Sequence, residues 1–190
     1  KEVPVKVTAP VSPATPTLTH DQHTAIPPEK SYDDGIWAVN TKPLGYLYKN
    51  PVTLYLWDEA SNSYKEVKYG KDKPLGMITI AHKVAGQESW PEILTFNGDG
   101  YIRFTANPPL TMGATLRIGA HNAGAPDQTF PRITEARFKK LSDTTYEMIF
   151  KVDSDLYEGM IKATLTPGTK TTIHFDASYW MKRDSEKNTG

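Results

Sequence analysis

Pro51-Val52-Thr53-Leu54-Tyr55-Leu56-Trp57-Asp58 is the stretch that decides the fold class of this chain. In a β-strand, successive side chains point to opposite faces. Val52, Leu54 and Leu56 therefore share one face, and Thr53, Tyr55 and Trp57 share the other. Because both faces are largely apolar or aromatic, the strand is either central in a two-layer β fold or carries an aromatic surface over a buried aliphatic one.

Short strand-like runs separated by turn residues continue along the chain, and about ten strands are expected. Residues 93–105 form a hairpin around the loop Asn97-Gly98-Asp99-Gly100, and residues 160–175 form another around Pro167-Gly168. No segment has a clear helical pattern, and the connections are too short for crossover helices. The sequence predicts an all-β protein, an antiparallel β-sandwich of the immunoglobulin-like or jelly-roll-like kind.

The organisation along the chain follows from composition. Residues 1–30 are rich in proline and threonine and predict an extended spacer or tail. Residues 31–181 form the β-sandwich, and residues 182–190 form a polar tail. Residues 120–132 are either a long loop within one sandwich or the boundary between two small β modules.

Charge and composition exclude several classes of function. The 22 basic residues balance the 22 acidic ones, so the footprint of a nucleic-acid binder is missing. No apolar run approaches the ~20 residues that span a bilayer, so no direct membrane insertion is expected. There is no cysteine, which removes disulfides and thiolate chemistry. The first residue is Lys1, and we expect a secreted or cell-surface protein from which a signal segment has been removed.

Residues that carry catalysis or bind metals give only weak signals. No Gly-x-Ser-x-Gly elbow is present, and His20 and His23 lie in the proline-rich segment, so no catalytic residue and no metal site is assigned. Asp153, Asp155 and Glu158 are an oxygen-rich group of the kind that can hold calcium, but they lack EF-hand spacing and a solvated acidic turn is the favoured interpretation. No cofactor is expected. Carboxylate pairs for glycoside hydrolysis would have to come from a set whose separations the sequence does not give, namely Asp33, Asp34, Asp58, Glu59 and Glu92.

Clustered aromatic residues are the strongest functional signal. We expect the ligand-binding residues to be Trp37, Tyr48, Tyr55, Trp57 and Tyr69. If the aliphatic side chains fill the core, Trp37, Tyr55 and Trp57 share the opposite, exposed face, where flat rings stack against sugars or anchor a protein. The alternative is that these rings are themselves buried.

The sequence therefore favours a non-catalytic, extracellular binding module whose partner is a polysaccharide or another glycan. The second hypothesis is a structural or adhesive surface protein, such as a surface lipoprotein or a pilus or phage decoration subunit, that binds a protein partner. An enzyme is the third hypothesis, and it lacks a credible residue set.

Overall fold

The computed structural model describes residues 26–45, 48–83, 92–107, 110–115, 131–167 and 171–184. These residues form twelve β-strands and contain no helix, so the predicted all-β sandwich is confirmed with two more strands than expected. Accordingly, this part of the chain holds no helix that could span a membrane. The strands are β1 Glu29–Asp33, β2 Trp37–Pro43, β3 Thr53–Asp58, β4 Ser63–Val67, β5 Leu75–His82, β6 Glu92–Asn97, β7 Tyr101–Asn107, β8 Leu110–Thr115, β9 Arg132–Ser142, β10 Thr145–Asp153, β11 Tyr157–Thr166 and β12 Thr172–Met181.

The strands make two six-stranded sheets that pack face to face. The first sheet has the order β1-β2-β5-β6-β7-β8, and the second has the order β12-β11-β10-β9-β3-β4. The two predicted hairpins are present as β6-β7 and β11-β12, and β3 and β4 form another antiparallel pair. One pair departs from the expected antiparallel pattern, because β3 runs parallel to β9. The prediction considered only consecutive strands, whereas the chain between β3 and β9 passes through most of the first sheet, which is ample length for a parallel return.

The inner faces of the two sheets form one hydrophobic core. From β3, Leu54 is fully buried and Leu56 is 8% exposed, as the alternation predicted. From the first sheet, the Phe96 ring meets Phe138 and Phe150 of the second sheet edge-on, with ring centroids 5.7 and 5.1 Å apart. Strands from both sides of residues 120–132 contribute to this core and to the second sheet.

Trp37 corrects the sequence analysis. Its side chain is fully buried and belongs to β2 of the first sheet, so it shares no face with Tyr55 and Trp57 of β3. Trp37 and Val39 of β2 belong to the core, and Ile36, which precedes the strand, is half-buried and packs against it. Alternation along β2 agrees with this face, because Thr41 is buried on the side of Trp37 and Val39, whereas Asn40 and Lys42 on the other side are half-buried.

The Trp37 indole is a structural clamp. Its Nε1 donates to the carbonyl oxygens of Ser142 and Asp143 in the turn between β9 and β10, at 3.3 and 3.2 Å. The ring packs against Tyr146 and His82 at centroid distances of 4.8 and 4.5 Å. Trp37 thus ties a turn of the second sheet to the first sheet, and it cannot stack on a ligand.

The ends of the predicted segments lie partly outside the described residues, as do His20, His23 and His121. Of the proline-rich segment, residues 26–30 are described, and β1 already begins at Glu29. The hydroxyl of Tyr69 donates to the Pro27 carbonyl oxygen at 3.1 Å, and the backbone N–H of Gly70 donates to the Glu29 carboxylate at 2.6 Å. At the other end, β12 ends at Met181.

Candidate functional site

The aromatic residues of β3 and β4 lie on the outer face of the second sheet. Tyr55 and Trp57 share that face, as predicted, but both are half-buried. The Lys139 ammonium lies 4.0 Å from the Trp57 ring centroid, and Tyr64 meets the same ring edge-on at 5.1 Å. The Arg137 guanidinium covers Tyr55 at 5.3 Å. Cations of the protein itself therefore occupy the ring faces that a ligand would need.

Tyr48 and Tyr69 lie apart from this face. Tyr48 precedes β3 and packs against Gly76 so closely that a Cβ added to the glycine would lie 2.5 Å from the tyrosine Cβ. Tyr69 is half-buried, packs against the core and is held by its hydroxyl bond to Pro27. The structure therefore does not bring the five predicted ligand-binding residues together.

Trp180 lies near the end of β12, and 53% of its surface is exposed. Among the described tryptophans, it is the one that is open to solvent. The direction of the Trp180 side chain follows from its neighbour, because Tyr179 faces inward and successive side chains of a strand point to opposite faces. Tyr179 packs edge-on against Tyr157 at 5.6 Å, and the absence of a Cβ at Gly159 allows this approach, since a Cβ there would lie 2.6 Å from the Tyr179 ring. The backbone of β12 is therefore held against β11, and Trp180 points outward.

Beside Trp180 is a groove of about 660 Å³ on the outer face of the second sheet. It crosses β10, β11 and β12, and we call it the Trp180 groove. Met160, which is 48% exposed, adds a second apolar surface to it. The residues that line the groove are Thr134, Lys151, Val152, Asp153, Glu158, Gly159, Met160, Trp180 and Lys182.

The polar groups of the Trp180 groove are of two kinds. Lys182 forms an ion pair with Asp153 and donates from Nζ to the Ser154 carbonyl oxygen at 3.0 Å, so these groups are fixed. Lys151 and Glu158 are exposed, and neither has an ion-pair partner among the described residues. Within the described part of the chain, the groove thus offers an ammonium and a carboxylate without ion-pair partners, close to an exposed indole.

In the acidic group that was considered for calcium, Asp155 is exposed between β10 and β11. Asp153 is already neutralised by Lys182, and Glu158 belongs to the next strand, where its Cα partner is Asp153. Within the described ranges, no three histidine, aspartate or glutamate side chains are placed to hold a metal ion.

A second groove, of about 710 Å³, lies where β1 of the first sheet faces β3, β4 and β9 of the second. Its lining includes Trp57, Tyr32, Asp58, Glu59 and Lys140. It is therefore the place where several of the carboxylates considered for hydrolysis gather. Asp33 instead pairs with Lys30, and Glu92 lies on β6 of the other sheet.

The carboxylates near this second groove are held in their charged form. Desolvation raises the pKa of Asp34, but hydrogen bonds from Lys140, the Trp37 and Ile36 amides and the Tyr32 hydroxyl outweigh it and bring the pKa to about 2. For Asp58, hydrogen bonds from Lys65 and Ser61 lower the pKa to about 2. A general acid for glycoside hydrolysis must keep its proton near neutral pH, and neither group does.

The same network changes the hydroxyl of Tyr32. Partial burial, its hydrogen bond to Asp34 and the Asp34 charge raise the pKa of Tyr32 to about 12. Lys140 bonds both Asp34 and Asp143 at 2.7 Å, and these bonds raise its pKa. These groups therefore tie the turn between β1 and β2 to the turn between β9 and β10.

Sequence reasoning did not single out the Trp180 groove. The alternation of Thr172–Met181 places Trp180 on the same face as His174, Asp176 and Ser178, which was a usable signal for an outward ring. What the sequence lacked was the position of β12 at the edge of its sheet. Trp90 lies outside the described residues, as do residues 116–130. His82 is half-buried, and its Nε2 is hydrogen-bonded to the Asp143 carbonyl oxygen at 3.0 Å. His174 is exposed.

A scan against models of protein families finds no family that matches this chain, and a search of curated proteins finds no significant relative.

Proposed function

We propose that the protein is a non-catalytic, extracellular module that binds carbohydrate in the Trp180 groove. The observation that carries the proposal is the exposed indole of Trp180 on a strand held by Tyr179. The indole lies beside an open groove whose Lys151 and Glu158 form no ion pair with another described residue. The proposal keeps the ligand class expected from the sequence and moves the contact from Trp57 and its neighbours to Trp180.

The mode of binding follows from the chemistry of the groove. A sugar ring has an apolar face of C–H groups, which stacks on an aromatic ring that is free to receive it. Its hydroxyl groups both donate and accept hydrogen bonds, and here the Glu158 carboxylate accepts while the Lys151 ammonium donates. Met160 supplies an adaptable apolar contact next to the indole.

The charge of the groove suits a neutral ligand. Its lining has two lysines, Lys151 and Lys182, and two carboxylates, Asp153 and Glu158. A polyanion gains little from such a surface, because each cation is accompanied by an anion. We therefore expect a neutral, hydroxyl-rich polysaccharide rather than a sulfated or uronic acid polymer.

The test is affinity electrophoresis in native gels that contain soluble neutral polysaccharides. Trp180→Ala removes the stacking surface, and loss of a buried aromatic anchor costs about 2 kcal/mol, or roughly 30-fold in affinity. Wild-type protein should be retarded by at least one polysaccharide, and Trp180→Ala should migrate as it does without polysaccharide.

Leu141→Ala is the matched control, because Leu141 is 51% exposed but lines the second groove instead. It should be retarded like the wild-type protein. Absence of retardation in every gel contradicts the proposal, and so does equal retardation of wild-type protein and Trp180→Ala. Loss of retardation in Leu141→Ala alone would place the ligand in the second groove and also contradict it.

A further inference from the structure

The outer edge of β12 differs from the edges that β1, β4 and β8 present. Those strands have only five or six residues. The registers of β1 with β2 and of β7 with β8 are irregular, and β4 carries Lys65 and Glu66. Short length, bulges and charges are the usual protection against pairing with another chain. β12 has ten residues in uninterrupted register with β11, and no proline.

The side chains of β12 are accessible from both faces. All of them are exposed except Ile173 and Tyr179, and three large apolar side chains lie on this one strand, with Phe175 at 40%, Trp180 at 53% and Met181 at 54% exposure. In the described part of the chain no strand pairs with the outer edge of β12. Its outward backbone N–H and C=O groups are therefore available as a template.

The sequence of β12 is self-complementary about Ala177. On the inward face, an antiparallel copy centred at Ala177 places Phe175 opposite Tyr179 and Ile173 opposite Met181. On the outward face, Asp176 lies opposite Ser178, so the two carboxylates are not directly paired. The small side chain at the centre lets the two strands approach without a clash.

We propose that β12 is an interface with a second copy of this chain. The two β12 strands pair antiparallel across a two-fold axis at Ala177, and the second sheets of both copies join into one continuous sheet. The pairing covers the exposed Phe175 and Met181 side chains of each copy, and it satisfies the outward hydrogen-bonding groups of both edges.

The occupant is a second copy because the inward face of β12 is apolar along its length, so that a reversed copy sets an apolar side chain opposite every apolar side chain from Ile173 to Met181. A single strand pair buries less than the roughly 1,200 Å² typical of stable complexes, so the dimer is weak and reversible. We expect it to form at concentrations on the order of 100 µM, a weak affinity of about −5.5 kcal/mol, since small interfaces give transient association.

The two-fold axis would lie perpendicular to the sheet, so the outer faces of both copies would face the same side. Residue 180 of one copy would lie opposite residue 174 of the other, which puts the two Trp180 side chains roughly 20 Å apart along the strands. The inference does not depend on the carbohydrate proposal. If both hold, one polymer would contact two grooves and gain avidity.

Sedimentation velocity across a concentration series of the full chain tests the association. The wild-type protein should shift from monomer to dimer as concentration rises toward several hundred micromolar. Ala177→Lys places two ammonium groups directly opposite each other at the axis and should remain monomeric. Leu141→Lys is the control, because Leu141 is similarly exposed to solvent but lies on β9, and it should associate like the wild-type protein.

Cross-linking tests the register. The chain has no cysteine, so Ala177→Cys introduces one thiol, and directly opposite residues of an antiparallel pair have Cα atoms about 4.5–5.5 Å apart, within the range of a disulfide. Mild oxidation should give a covalent dimer much faster for Ala177→Cys than for Leu141→Cys.

The proposal is overturned if wild-type protein stays monomeric throughout, or if Ala177→Lys associates normally. Equal cross-linking rates of the two cysteine variants also overturn it. Circular dichroism of each variant checks that the fold is intact, and Ala177→Cys keeps the test valid if Ala177→Lys does not fold.

Discussion

Replacing each of two tryptophans by phenylalanine should separate the structural role of Trp37 from that of Trp57. Trp37→Phe removes part of a fully buried ring and the indole N–H that reaches the Ser142 and Asp143 carbonyl oxygens. The lost apolar contact costs about 1–1.5 kcal/mol, and the lost hydrogen bond costs about 1 kcal/mol more. We expect Trp37→Phe to lower the free energy of unfolding by about 2–2.5 kcal/mol.

Trp57→Phe is the matched substitution with the opposite expectation. The Trp57 indole N–H is buried and has no hydrogen-bond partner among the described residues. Removing an unpaired buried donor recovers about 1–3 kcal/mol, which offsets the lost ring area and the weaker attraction of Lys139. We expect the free energy of unfolding to change by less than about 0.5 kcal/mol.

Urea unfolding followed by far-ultraviolet circular dichroism is the suitable assay, because tryptophan fluorescence differs between the variants. With a slope of about 2 kcal/mol per molar urea, Trp37→Phe should lower the midpoint by about 1 M at unchanged slope. Equal destabilisation by both substitutions would refute the reasoning, as would a Trp37→Phe cost below about 0.5 kcal/mol.

Two further predictions concern the turns and the charged network. Gly100 has φ +82°, and a Cβ there would lie 1.9 Å from the Pro131 carbonyl oxygen. Gly35 has a similar φ of +86°, but no atom lies within 4 Å of its added Cβ. Gly100→Ala should therefore lower the thermal midpoint far more than Gly35→Ala, and equal effects would contradict the packing argument. Asp34→Asn should lower the free energy of unfolding by about 1 kcal/mol at neutral pH. This is less than the full pKa shift of Asp34 would give, because the carboxylate is partly in water, which screens its interactions. The folded pKa of Asp34, about 2, lies below the unfolded value of 3.8, so this contribution to stability is present above pH 4 and is lost as pH falls toward 2. The urea midpoints of the wild-type protein and Asp34→Asn should converge over that range. A constant difference between the midpoints would contradict the role given to the Asp34 charge.

Local alternation was sufficient for the second half of the chain. In β10 the sequence separates Tyr146, Met148, Phe150 and Val152 from Glu147 and Lys151, and the structure buries the first set and leaves the charged set partly or fully open to solvent. The same holds for Leu54 and Leu56 of β3. Where one face of a strand is polar, the pattern identifies the core face, because only one face can be buried at low cost.

The prediction failed for Trp37, which was grouped with the rings of β3. In β2, Trp37, Val39 and Thr41 are buried on one face, while Asn40 and Lys42 on the other face are half-buried, so the polar residues of the strand mark its outer side. The aromatic cluster assembled from Trp37, Tyr48, Tyr55, Trp57 and Tyr69 failed because closeness along the chain does not place residues of two different sheets on one surface.

The sequence by itself determined that this protein is built from strands, where most hairpins turn, and which residues of the polar-and-apolar strands face the core. Only the tertiary structure decided that β3 lies beside β9, that Trp37 clamps a turn while Trp180 remains open, and that β12 is left at an edge. The physical reason is that side-chain alternation is set by backbone geometry within a few residues, whereas strand order and exposure depend on packing between segments far apart in the chain, for which no local pattern exists.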